Sequence, residues 1–198
     1  MVPVPFVGLT GGLGAGKSTA LEALERLGAA TLSTDAVVHE LYAAPELRDA
    51  VVARWGAGVA PGGVVDRSAV AAHAFATAQE RAWLEGEIWP RVAARIAAWR
   101  EEVAAREPPP AAAVVETPLL FEAGMEGIYD ATVAVVADEA VRARRAAQRG
   151  HVGVDTRAAR QLPQEEKARR ATYTVRNSGT LEQLESELSD LLASLRAP

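Results

Sequence analysis

The sequence predicts an α/β fold: a parallel sheet flanked by helices, with an all-helical domain inserted into it. Three observations predict this. A short apolar run, a glycine-rich loop and an amphipathic run follow one another at the N-terminus. Further apolar runs of strand length recur at 29–33, 111–116, 131–136 and 173–176 with helical patterns around them. The stretch 36–106 carries no strand-like run of its own.

Taken in order, Phe6-Val7-Gly8-Leu9-Thr10 reads as a buried strand, and Thr19 to Leu27, with Leu21, Leu24 and Leu27, as the helix behind the loop. Between them Gly11-Gly12-Leu13-Gly14-Ala15-Gly16-Lys17-Ser18 fits the phosphate-binding pattern G-x-x-x-x-G-K-[ST] at every fixed position. Strand, loop and helix stand in the order that pattern requires, which argues against a glycine-rich turn that binds nothing. Glycines let the loop turn its N–H groups inward, and the helix N-terminus adds partial positive charge for an anion. Lys17 is the expected contact to the β- and γ-phosphates, and the Ser18 hydroxyl the expected ligand of Mg²⁺.

Ala29 to Ser33 reads as a second strand that delivers Asp35 to the sheet edge where ligands of open α/β folds collect. From Ala36 to about Arg106 the pattern is helical with a break at Gly56 to Gly63, and Trp83, Trp89 and Trp99 are expected to pack this insert. Pro108-Pro109-Pro110 ends it. Ala111 to Glu116 and Ala131 to Val136 are strands separated by the loop Thr117 to Glu122, and Asp138 suits the cap of a helix carrying Arg142, Arg144, Arg145 and Arg149. Tyr173 to Arg176 is a last strand. Thr180 and Gln183 make a capping box for a final helix whose Leu181, Leu184, Leu188, Leu191, Leu192 and Leu195 form an apolar stripe.

Composition narrows the function. The 198 residues suit one α/β domain with an inserted subdomain. A net charge of −5 and a pI of 5.3 argue against a general nucleic-acid binder. With no cysteine, disulfides and thiolate metal sites are excluded. No apolar run approaches the roughly 20 residues of a membrane span, and Met1-Val2-Pro3-Val4-Pro5 lacks a basic leader, so a soluble cytoplasmic protein is expected, with no membrane, nucleic-acid or obligate protein partner.

Guanine-specific N-K-x-D and an acidic D-x-x-G switch segment are both missing. A small chain with a phosphate loop, an acid on the acceptor side, a helical insert and an arginine-rich helix instead suits a metabolite kinase, which must exclude water from the transferring phosphoryl group. Other members of that class, such as nucleoside or nucleotide kinases, remain an alternative at this point, and a regulatory nucleotide switch is a more distant one.

Beyond the loop, the residues resemble one family in particular. Val7 to Thr19, Asp35-Ala36 followed by His39-Glu40-Leu41, Pro118-Leu119-Leu120-Phe121-Glu122, and Arg145 with Arg149 carry the likeness. It continues in Gln161-Leu162-Pro163 with Glu165-Glu166-Lys167, and in Asn177-Ser178-Gly179. Together they are similar to the dephospho-CoA kinases, which transfer phosphate from ATP to the ribose 3′-hydroxyl of dephospho-CoA in the last step of coenzyme A synthesis. The resemblance implies a phosphate-loop fold like that of nucleoside monophosphate kinases. It implies a nucleotide-binding core over 1–35, 108–138 and 171–198, a helical substrate domain over 36–107 and a lid over 139–170. It departs twice, at Ser33-Thr34-Asp35 where the family usually has D-A-D, and at Trp89-Pro90 where it usually has His-Pro.

The same resemblance implies roles. ATP with Mg²⁺ would lie on Gly12, Leu13, Gly14, Ala15, Gly16, Lys17, Ser18 and Thr19. Asn177 and Gly179 would sit against its adenine, unless they are an ordinary turn. Asp35 would be the base for the acceptor hydroxyl, or a helix N-cap, or both. Arg145 and Arg149 would clamp the phosphates, leaving Arg142 and Arg144 as surface. Thr10, His39, Pro118, Leu119, Leu120 and Phe121 would line the acceptor side, although core packing accounts equally for Leu120 and Phe121, and a plain surface position for His39.

Overall fold

The computed structural model describes residues 3–148 and 161–196, so Arg149 and the rest of 149–160 lie outside the described residues. Five strands form one fully parallel sheet: β1 (Phe6–Gly11), β2 (Ala30–Ser33), β3 (Ala113–Glu116), β4 (Ala131–Val136) and β5 (Tyr173–Arg176), in the order β2-β3-β1-β4-β5. β1 is central, with Leu9 opposite Glu116 on one side and Val133 on the other. Its six residues are all buried, as are the four of β3, which is why these strands read as continuous apolar runs rather than alternating ones.

Helices cover both faces. α1 (Lys17–Arg26) turns Ala20, Ala23 and Leu24 inward, and α8 (Leu181–Ser194) buries Leu184, Leu188, Leu191 and Leu192 in the same core cluster with Val7, Leu9 and Val133. An Arg26–Glu185 ion pair of 2.8 Å ties the two helices at the surface. The capping box forms as expected, the Thr180 side chain accepting from the Gln183 N–H at 3.3 Å while Gln183 Oε1 accepts from the Thr180 N–H at 2.9 Å. Leu181 departs from the expected stripe and is 45% exposed. As the first residue of the helix it lies ahead of the turn that touches the core. Among the described residues this part also holds α6 (Glu139–Gln148) and α7 (Gln164–Arg170).

The chain divides into two compact units, one of residues 1–33 and 100–198, the other of Thr34–Trp99. The second unit is all helical: α2 (Thr34–Ala43), α3 (Pro45–Trp55), α4 (Arg67–Ala74) and most of α5 (Ala78–Ala104), with two short 3₁₀ turns at the glycine break. Leu47, Val51, Val59 and Val70 form its core, with Trp83 packed against it. Trp99 is buried, but Trp89, beside Pro90 inside α5, is 39% exposed and does not pack as expected.

Candidate nucleotide and acceptor site

The loops after β1, β3 and β5 that the resemblance singles out each leave a C-terminal strand end. β1 ends at Gly11, where the phosphate loop begins, and α1 starts at Lys17 with Gly16 as its N-cap. No side chain caps α1 at Gly16 and its first turn holds no acid, a helix N-terminus of the kind that favours an anion. Gly16 has φ 87°, and a Cβ on it would lie 2.1 Å from Asn177 Nδ2. Only glycine satisfies both the left-handed backbone and that close approach. Lys17 Nζ reaches back along the loop, donating to Gly11 O at 3.2 Å and Gly12 O at 3.4 Å.

Two side chains, Asn177 and Arg142, hold the phosphate loop from outside, and a third, Arg145, braces Asn177. Asn177, at the end of β5 and buried, donates from Nδ2 to Ala15 O at 2.9 Å. Arg145 on α6 donates to Asn177 O at 2.9 Å and to its Oδ1 at 3.4 Å. Arg142, one turn earlier, donates from Nε to Leu13 O at 3.0 Å and pairs with Glu139 at 3.0 Å. The expectation that Arg142 is surface is therefore corrected: its side chain is 22% exposed and engages the loop directly. Arg144 is exposed, as expected. Gly179 begins the turn into α8, where a Cβ would run into the Gln183 side chain at 1.9 Å, so the capping box accounts for this glycine.

After β3 the loop Thr117 to Glu122 folds inward. Thr117 Oγ1 meets Tyr129 Oη at 3.2 Å, Leu119, Leu120 and Phe121 are buried, and the Arg170 guanidinium lies 4.8 Å over the Phe121 ring. Leu120 has no exposed surface, which makes it core. Thr10 is also buried, its hydroxyl donating to Pro118 O at 3.3 Å. Beneath this loop sits Lys167, with its ammonium on Pro118 O at 2.6 Å, Glu122 Oε1 at 3.0 Å and Thr10 Oγ1 at 3.3 Å. Burial pushes Lys167 below the ordinary lysine range, and the Glu122 carboxylate opposes that.

Asp35 and His39 belong to the helical unit. β2 ends at Ser33 and α2 begins at Thr34, so Asp35 lies inside the first turn. It is thus not the N-cap. A carboxylate there is favoured by the helix dipole, and Asp35 is exposed. His39 lies one turn on, and its Nδ1 accepts from Arg67 Nη1 at 3.3 Å, which adds a fixed cation beside it.

A family model described as dephospho-CoA kinase matches residues 5–183. The chain belongs to the dephospho-CoA kinase family. A Deinococcus radiodurans dephospho-CoA kinase is 40% identical over 96% of this chain and 91% of its own length, and one from Synechococcus is 35% identical over 96% and 92%. Among solved structures, the Thermus thermophilus protein TT1252 has a TM-score of 0.78 at 34% identity, covering 98% of this chain and all of its own. A Campylobacter jejuni dephospho-CoA kinase at 20% identity and a TM-score of 0.63 shares the fold.

Ser33, one of the two positions where the chain departs from the usual dephospho-CoA kinase pattern, lies beside Glu116. Ser33 pairs in register with Glu116, and its hydroxyl donates to Glu116 Oε2 at 2.8 Å. An acid at 33 would set two carboxylates against each other there, which costs one of them its charge. The sequence reading also missed the loop-holding role of Arg142, although its spacing of three from Arg145 was a visible signal. It gave no role to Lys167, whose partners Thr10, Pro118 and Glu122 lie far from it along the chain.

Proposed function

We propose that this chain transfers the γ-phosphoryl group of ATP to the ribose 3′-hydroxyl of dephospho-CoA, giving CoA and ADP in the cytoplasm. Membership of the family across residues 5–183 carries this reading. The uncapped helix end behind a loop whose Gly16 leaves no room for a Cβ fits a polyphosphate. Among the described residues no group of three or more His, Cys, Asp or Glu could hold a metal alone. Mg²⁺ would be held by the Ser18 hydroxyl together with phosphate oxygens, where it would neutralise developing charge on the phosphates. No helix of the described residues is long and apolar enough to cross a membrane.

Asp35 accepts the proton of the 3′-hydroxyl as its oxygen attacks the γ-phosphorus and the bond to the ADP oxygen breaks. Lys17 and Arg149 stabilise the charge on the transferring group, while Arg145, tied to Asn177, holds the loop and stands beside it. Pro118, Leu119, Phe121, Thr10 and His39 hold the acceptor, with Leu120 packed behind them as core, and Asn177 and Gly179 flank the adenine. The compact helical unit Thr34–Trp99 supports a helical substrate domain, read as 36–107, and the arginine-bearing stretch 139–170 is read as the lid. ADP release from Mg-ATP tests the reading: rapid release with dephospho-CoA, and little with adenosine, a nucleoside monophosphate or no acceptor, is expected. Equal release with the other acceptors would overturn it.

A further inference from the structure

The Glu165-Glu166-Lys167 segment belongs to the pattern shared with the family, yet the chemistry above uses none of its residues. Among the described residues Lys167 is the largest fully buried side chain, at 0% exposure. Lysine is almost never fully buried unless paired, because its ammonium gives up its hydration. Here its three N–H donors meet three acceptors, Pro118 O at 2.6 Å, Glu122 Oε1 at 3.0 Å and Thr10 Oγ1 at 3.3 Å. Glu122 Oε1 also accepts the Leu162 N–H at 2.7 Å, while Glu122 Oε2 is buried with no hydrogen-bond partner. A pair kept only for stability would be matched by apolar side chains of the same volume, and this one even leaves an oxygen unsatisfied. What the ammonium supplies that an apolar side chain cannot is a fixed position for the Pro118 carbonyl against Thr10. The next residue along β1 is Gly11, whose carbonyl accepts from Lys17.

We propose that Lys167 is a positioning residue for phosphoryl transfer, fixing the Pro118–Phe121 loop to the end of β1 and thereby setting where the acceptor lies relative to the phosphate loop. The proposal rests on the reading of that loop as the acceptor side. A misplacement of about 1 Å at a reacting centre lowers rates roughly 10²-fold, so a positioning defect shows in turnover before it shows in ATP binding.

Lys167→Met alone leaves Glu122 buried without its counter-charge and lowers thermal stability. The test is therefore carried by the paired variant Lys167→Met with Glu122→Gln, which removes both charges and keeps an acceptor for the Leu162 N–H. The paired variant is expected to regain melting temperature relative to Lys167→Met and to bind ATP within about threefold of wild type. Its kcat is expected to stay down roughly 10²-fold, with a raised KM for dephospho-CoA. Wild-type kcat and KM in the paired variant would overturn the proposal and leave Lys167 a packing residue. Phe121→Leu, measured alongside, separates the two ideas. A raised KM for dephospho-CoA upholds the loop as the acceptor side whatever Lys167 does, and an unchanged KM removes that reading and the proposal with it.

Discussion

Asp35 shows how a single position can be sorted between support and chemistry. It lies inside the first turn of α2 rather than ahead of it, so its charge interacts favourably with the helix dipole, by about 0.3–1 kcal/mol. Asp35→Asn keeps the size of the side chain and should lower kcat about 10²–10⁴-fold, with ATP affinity little affected. A variant that loses stability and keeps its kcat would return Asp35 to a structural role. Arg142 is the opposite case, a residue whose helix-surface appearance hid a contact. Its guanidinium donates to Leu13 O with the side chain 22% exposed, so screening reduces the bond to about 0.5–1.5 kcal/mol. Arg142→Ala should weaken ATP binding about 2–10-fold by titration calorimetry, whereas Arg144→Ala, at an exposed position, should leave it unchanged.

At the scale of elements, β1 is held at both ends by contacts from distant segments. Tyr129 covers its start, with its ring 5.0 Å from Phe6, and the same Tyr129 hydroxyl meets Thr117 beyond the end of β3. Burial pushes the Tyr129 phenol above its ordinary value of 10.0, the Thr117 hydrogen bond opposing. A group whose folded value is raised contributes stability that is whole below the unfolded value and is lost as pH rises through the folded one. Urea melts of wild type and Tyr129→Phe at rising pH should therefore converge above pH 10, since the phenylalanine has no proton to lose. A constant gap would show that the phenol stays clear of titration. The same elements show what could be read from sequence. β1 with its loop, β4, β5 and the α8 cap are local patterns of apolar runs and fixed spacings, so they were legible. The Lys167 ammonium on Thr10 and Pro118, the Asn177 amide on Ala15 and the Arg142 guanidinium on Leu13 close over long chain separations that no local pattern records. The exposure of Leu181 and Trp89 was hidden similarly, since an apolar residue type does not say which face of a helix finds a partner.

At the scale of the whole molecule, all four tryptophans, Trp55, Trp83, Trp89 and Trp99, fall within the Thr34–Trp99 unit, so intrinsic tryptophan emission reports on that unit. Trp55 meets Trp83 edge-on at 5.0 Å and donates from its indole to Glu80 at 2.7 Å, so unfolding of the helices changes its surroundings directly. Leu47 has no exposed surface and stands in this unit's own core cluster with Val51, Val59 and Val70. Leu47→Ala should cost about 2–5 kcal/mol and move the tryptophan-detected urea transition to lower denaturant. The phosphate loop draws its support from residues outside that unit, namely Asn177, Arg145 and Arg142. ATP affinity, read by a fluorescent analogue in the absence of urea, should then stay within about twofold of wild type while the KM for dephospho-CoA rises, because loosening a second, separately cored unit does not disturb the first. Loss of ATP binding in step with the tryptophan transition would show instead that the two units form one cooperative block, and a change in the helical core would then act on the nucleotide as strongly as on the acceptor.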